Sequence, residues 1–154
     1  MRFLRTVVLC CGNPLMGDDG FGFYVLDGLN RKELPDHVEL IDAGTGGLDL
    51  LSFIENADKV IIIDAVSSGS EVGKIYRFTS KDLPDPASMY FSLHELGLVD
   101  VLKIGKKVMS ITDDIIIIGV EIERTKNIAI GLTKKVNEAV PKVVEMVLDE
   151  LPIE

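Results

Sequence analysis

Four aspartates and one histidine stand where side chains of this chain could reach a ligand. Asp42 closes the apolar run "VELID" and Asp64 closes "VIIID", while Asp18 and Asp19 sit between glycines in "CGNPLMGDDGFG", just after "VVLC". Open α/β sheets bind ligands at the carboxyl ends of their strands, so four acids in these positions would share one rim. A carboxylate buried without a partner is costly or has its pKa driven upward, and clustering adds repulsion. A cation resolves both. In "SLHELGLVDVL" Ser92 reads as an N-cap and Glu95 completes a capping box, which makes His94 the second helical residue. The positive end of the helix dipole disfavours imidazolium there and leaves a neutral ring able to coordinate a metal. One histidine and two carboxylates make an incomplete shell for a transition metal, with positions open for substrate or water.

Each of these residues has an ordinary role available as well. Asp18 reads as the N-cap of the helix that follows it; Asp19, one place on, either complements the dipole or ligates. Asp42, before "AGTGG", suits an Asx turn or a cap. Asp64 follows three isoleucines and precedes "AV" with no turn residue beside it, and reads as functional. His94 has the alternative of a solvent-facing or satisfied histidine, and His37, in the polar entry "PDHVEL", reads as exposed. Other chemistries lack their motifs. No GxGxxG follows the first strand, no GxxxxGK[ST] occurs, and the acid opening "DAGTGG" would repel a phosphate. Ser67, Ser68 and Ser70 in "SSGSEVG" read as loop residues.

The elements that must position these side chains follow from periodicity. "FLRTVVLC", "KVIIID" and "DIIIIGVEI" are continuous apolar runs, as in strands covered on both faces, and "HVELID" is a shorter one. "KIYRF" alternates and reads as an edge strand, antiparallel to the rest. Phe21, Val25, Gly28 and Leu29 share a helix face, "LDLLSFIE" is a short amphipathic helix, and Val136, Val140, Val143, Val144, Val147 and Leu151 form a stripe in which Pro141 predicts a kink or a restart. Strand and helix alternate, which predicts an α/β fold: a three-layer αβα sandwich around a mostly parallel twisted sheet of about five strands. The 154 residues read as a single domain, 1–154, large enough for a sizeable core.

Composition narrows the partners. With 47% hydrophobic and 27% charged residues and a net charge of −9, the chain is a poor match for nucleic acid or an anionic membrane surface. The negative charge favours a protein partner with a basic tail, or a metal cation. The longest pure apolar run, "IIII", is strand-sized, not a membrane span. The adjacent Cys10 and Cys11 cannot form an ordinary structural disulfide and would face opposite sides of a strand, so they read as small buried hydrophobes in a reducing cytoplasm.

Five blocks in order, "GNPLMGDDGFG", "DAGTGG", "ADKVIIIDAV", "SLHELGLVDVL" and "IGLT", resemble the hydrogenase maturation endopeptidases. The resemblance runs from the first strand to Thr133 and the following helix. It implies a phosphorylase/hydrolase-like αβα fold and a peptidase, of aspartic or metal-dependent type, that removes a C-terminal extension from the large-subunit precursor of a NiFe hydrogenase after nickel insertion. It implies Asp19, Asp64 and His94 as the metal-binding set and places Asp42 in recognition or cleavage. The nickel would be carried by the precursor, and another divalent metal could occupy the site in isolation. Gly12 and Asn13 would shape the loop bearing the acids, and Cys10 departs from the family pattern where a glycine is common. The wording of the first block is similar to archaeal relatives serving coenzyme F420-reducing enzymes. The rival readings are a maturation chaperone that binds nickel or precursor without cleaving, and a small-molecule hydrolase on the same fold.

Overall fold

The computed structural model describes residues 4–91 and 97–152. Ser92, Glu95 and His94, with the capping box read from them, lie outside the described residues. Six strands form one sheet: β1 (Thr6–Cys11), β2 (Val38–Gly44), β3 (Lys59–Ser67), β4 (Ile75–Thr79), β5 (Tyr90–Phe91) and β6 (Ile115–Glu121). The order is β2-β1-β3-β6-β4, with β5 paired to β3. The pairs β1–β2, β1–β3 and β3–β6 are parallel, and β4 closes one edge antiparallel to β6. The sheet is thus mostly parallel, as expected, with the alternating "KIYRF" as its antiparallel edge. The two-residue β5 is the addition, because two residues carry no periodicity to read. It pairs Val66 and Ser67 where β1, whose last partner on β3 is Ile63, has ended.

Helices cover both faces, giving the three layers. Val7, Leu9 and Cys11 point into a core with Leu50, Leu51 and Ile54 of α2 (Leu50–Ile54) and Leu98, Val101 and Leu102 of α3 (Leu98–Val108). Val8 and Cys10 point the other way, into a core with Phe21, Val25 and Leu29 of α1 (Phe21–Asn30) and Val136, Ala139, Val143 and Val147 of α4 (Lys134–Glu150). Full alternation into two apolar cores is why these strands read as continuous hydrophobic runs. Gly28 lets α1 approach α4, since a Cβ there would stand 2.9 Å from Val144 Cγ2.

Three local expectations change. Pro141 does not restart the helix: α4 runs through it as one element of 17 residues. Its neighbours Ala139, Val143 and Val144 are buried against the sheet, and that tertiary packing outweighs one lost backbone bond. Asp64 does not end its strand; β3 continues three residues further because β6 and β5 pair with it there. His37 is half-buried, not exposed, and its carbonyl accepts the Thr6 N–H at 2.9 Å.

Candidate active site

From β1 the chain moves outward to β2, then crosses back to β3 on the other side of β1, with α1 and α2 on opposite faces. The carboxyl ends of β1 and β3 therefore form the topological switch point, where an open α/β sheet parts into a crevice. The loop leaving β1 folds tightly over it. Gly12 has φ +127°, and a Cβ there would lie 2.0 Å from the Asp19 carbonyl oxygen; a Cβ at Gly20 would lie 2.5 Å from Pro14 Cα. Only glycine admits such contacts. Asn13 Oδ1 accepts the Leu15 N–H at 3.0 Å, its carbonyl accepts the Met16 N–H, and the Gly12 N–H donates to Gly44 O of the neighbouring loop at 2.8 Å.

This loop delivers two buried acids, 7% and 8% exposed, on a single 3-10 turn, Gly17–Gly20, that packs against β3. Asp19 Oδ2 accepts the Asn13 N–H at 3.1 Å, and Oδ1 lies 3.8 Å from an Arg124 guanidinium nitrogen. Asp18 turns elsewhere. It makes no capping bond to its own helix; its two oxygens accept the Thr133 N–H and Oγ1–H, each at 2.7 Å. Thr133 is the N-cap residue of α4, so Asp18 caps a helix whose N-cap lies 115 residues later. The correction has a simple cause: the 3-10 turn leads straight into α1, whereas the first N–H groups of α4 need an acceptor. Two of the sequence blocks, "GDDG" and "IGLT", are thereby one tertiary contact.

Asp64 is fully buried inside β3, and its Oδ1 accepts the Ala65 N–H at 2.8 Å. Alternation sets it on the face of Val66 and Cys11. Asp42, on β2 beside Cys10, falls on the opposite face and is exposed, with Oδ1 accepting the Gly44 N–H at 3.1 Å in an Asx-type turn. Asp42 and Asp64 therefore flank the end of β1 on the strands either side of it, about 10 Å apart at the backbone by two inter-strand spacings. The cysteines report the same arrangement. Burial first, then Asp42, pushes the Cys10 thiol up to about 12; burial, then Asp64, Cys10 and Asp42, holds Cys11 protonated far above its usual range. Both are free, buried hydrophobes. Among the described residues no three His, Cys, Asp or Glu side chains form a metal cage. The turn bearing Asp19 packs against β3, which bears Asp64; His94 lies outside the described residues.

Two charged residues were not anticipated. Arg124, just past β6, reaches Asp19 and also donates to Phe91 O at 2.6 Å, joining the acidic turn to β5. Glu121, the last residue of β6, is 1% exposed; Oε1 accepts the Ser68 and Tyr76 hydroxyls and Oε2 accepts the Ser68 N–H at 2.9 Å. Burial raises its pKa, but the bonds from Ser68, Tyr76 and the Gly69 backbone outweigh that and hold it below the usual glutamate value. Ser68 is thus a ligand of a buried carboxylate, not a free loop residue. A signal for both was present: "IIIIGVEIER" ends an apolar strand with charges, as "VIIID" does.

An open α/β protein with buried carboxylates gathered at its switch point is the class defined by this geometry. The chain matches the family model described as hydrogenase maturation protease over residues 23–150, and it belongs to that family. It is 33% identical to the hydrogenase 2 maturation protease of Escherichia coli, over 96% of this chain and 91% of that one. It is 33% identical to the coenzyme F420 hydrogenase subunit delta of Methanothermobacter thermautotrophicus, over 97% and 96%. The solved structure of the hydrogenase maturating endopeptidase HybD from E. coli superimposes with a TM-score of 0.78 at 30% identity, covering 95% of this chain and 91% of that chain.

Proposed function

We propose that this protein is an endopeptidase that removes the C-terminal extension of a NiFe hydrogenase large-subunit precursor once nickel has been inserted. Family membership supports the peptidase and its hydrogenase substrate, since its relatives are named for hydrogenase maturation. The nickel-dependent reading is supported by the packing of the turn that bears Asp19 against the strand that bears Asp64, one carboxylate held by the Asn13 N–H and the other by the Ala65 N–H. Backbone donors orient both carboxylates, which suits them to a divalent cation brought by the substrate. Asp19, Asp64 and His94 take free positions of the precursor's nickel, so a loaded precursor is seated and an empty one is not.

The scissile peptide then lies across the end of β1, with the acid pair on one side and Asp42 on the other. Asp42 is accessible, and its Oδ2 accepts a proton from water as the water oxygen attacks the carbonyl carbon. Collapse of the tetrahedral adduct breaks the C–N bond, and the proton passes to the departing amine. Arg124 holds Asp19 in place and offsets its charge until the metal arrives. The unlinked, buried Cys10 and Cys11 suit a reducing compartment such as the cytoplasm; no helix among the described residues is long and apolar enough to cross a membrane.

Incubation with nickel-loaded and metal-free precursor, read by intact mass, tests this. Cleavage is expected of the loaded form alone. Equal processing of both removes the nickel-sensing role, and an unchanged mass with precursor stably bound makes the protein a non-cleaving maturation factor. Asp64→Asn and His94→Ala are expected to keep the fold and lose cleavage; Asp42→Asn is expected to lower kcat while precursor binding persists.

A further inference from the structure

Residues 128–130, "IAI", form a short strand-like segment docked through Ala129 on the loop that carries the acids. The Ala129 N–H donates to Leu15 O at 2.9 Å, and Ala129 O accepts the Gly17 N–H at 2.7 Å, a parallel bridge to Met16. One edge of the segment is thereby used. In extended backbone the N–H and C=O groups of Ile128 and Ile130 point to the opposite edge, and among the described residues they make no backbone hydrogen bond. Their side chains, two residues apart and so on one face, are 78% and 76% exposed, and Leu15 beside them is 51% exposed. A bare strand edge with exposed isoleucines is a template for an added strand.

The sequence running through it is locally basic. From Arg124 to Asn137 the sequence has Arg124, Lys126, Lys134 and Lys135 and no acid, in a protein of net charge −9. Arg124, Thr125, Lys134 and Lys135, which flank this segment in sequence, line a cleft of about 510 Å³ with Asp18, Val72 and Glu123 on its wall. Asp18 is committed to Thr133, Arg124 to Asp19 and Phe91 O, and Lys135 to Glu71 at 3.5 Å; Lys126 and Lys134 are exposed.

We propose that the open edge at Ile128 and Ile130 receives an extended segment of the precursor's C-terminal extension as an added β-strand, its apolar side chains on the isoleucines and its acidic ones facing the lysines. The identity of the occupant rests on the endopeptidase reading above; the edge and its preference for an apolar–acidic strand do not. Backbone pairing supplies register and affinity, and alternate side chains supply selectivity. The extension is thereby fed towards Asp19, which sits two residues past Gly17 on the same loop.

A short fluorescein-labelled peptide of alternating valine and aspartate is the probe, with lysine replacing aspartate in one control and alternate backbone amides N-methylated in another. Anisotropy on the intact protein is expected to show binding of the aspartate peptide, weakened at least about tenfold in both controls and in the Ile128→Asp/Ile130→Asp variant. Hydrogen exchange is expected to slow at the Ile128 and Ile130 amides. These side chains are outside the core, so the variant keeps its fold; Lys126→Glu/Lys134→Glu tests the charge separately. Absent binding, equal binding of the lysine peptide, or binding indifferent to the isoleucine variant overturns the assignment. Wild-type cleavage of nickel-loaded precursor with an unchanged KM in the variant overturns it while leaving the peptidase standing. Failure of the wild type to cleave overturns the peptidase, and the peptide measurements still decide the edge.

Discussion

Asp18 and Asp19 are chemically identical neighbours with different work, and the difference comes from what lies opposite each. Asp18 meets the start of α4, where its two oxygens satisfy Thr133. Asp18→Ala is expected to cost about 1–2 kcal/mol in denaturant unfolding, the range of a lost N-cap, with amide exchange accelerated in the first turn of α4. Asp18→Asn, which keeps one acceptor, should cost less. Glu121 gives a pH signature. Its folded pKa lies below its ordinary value of 4.5, so its contribution is fully present above that pH and is lost as pH falls through the folded value. Tm of the wild type should therefore fall on acidification below about pH 4.5, and Glu121→Gln should start from a lower Tm at neutral pH and fall less steeply over that window.

At the scale of elements, the site depends on how closely α1 and its preceding turn press on the end of β1. A Cβ at Gly22 would stand 2.2 Å from Cys11 O and 2.8 Å from Cys11 N, backbone atoms that cannot rotate aside. Gly22→Ala must lift α1 off β1, at a cost of about 3 kcal/mol, and the lift carries the Gly17–Gly20 turn with it. Urea unfolding and precursor cleavage should fall together in this variant, whereas Asp64→Asn should lose cleavage with little change in urea midpoint. In "GDDG", Gly17 is required by its positive φ of +59° and Gly20 by the approach of the Pro14 backbone, while the two acids have separate partners.

For the whole molecule, two apolar cores share one sheet, so neither face can come apart alone. Ile62 points into the α2–α3 core and Ile63 into the α1–α4 core, both fully buried. Ile62→Ala and Ile63→Ala are each expected to cost about 2–5 kcal/mol. Far-UV and near-UV transitions should still coincide in both variants, because loss of either face exposes the same strands. Charge is also a whole-molecule property with a local exception. The net charge is −9, yet the stretch from Arg124 to Asn137 has four basic residues and no acid, so the average does not describe every part of the chain.

The long strands, the mostly parallel character of the sheet and the placement of Asp42 and Asp64 towards the carboxyl ends of their strands were legible in the sequence, because continuous apolar runs alternate with helical patterns. Asp19 and Asp64 were singled out by their place after apolar runs, and both are buried. The partners of those residues were not legible. That Asp18 caps α4, that Glu121 is locked by Ser68 and Tyr76, that Arg124 braces Asp19 and that β3 outruns Asp64 are contacts between segments tens of residues apart, and no local pattern encodes them. Tertiary structure decided them because a buried polar group takes whichever donor or acceptor the packed chain brings within reach.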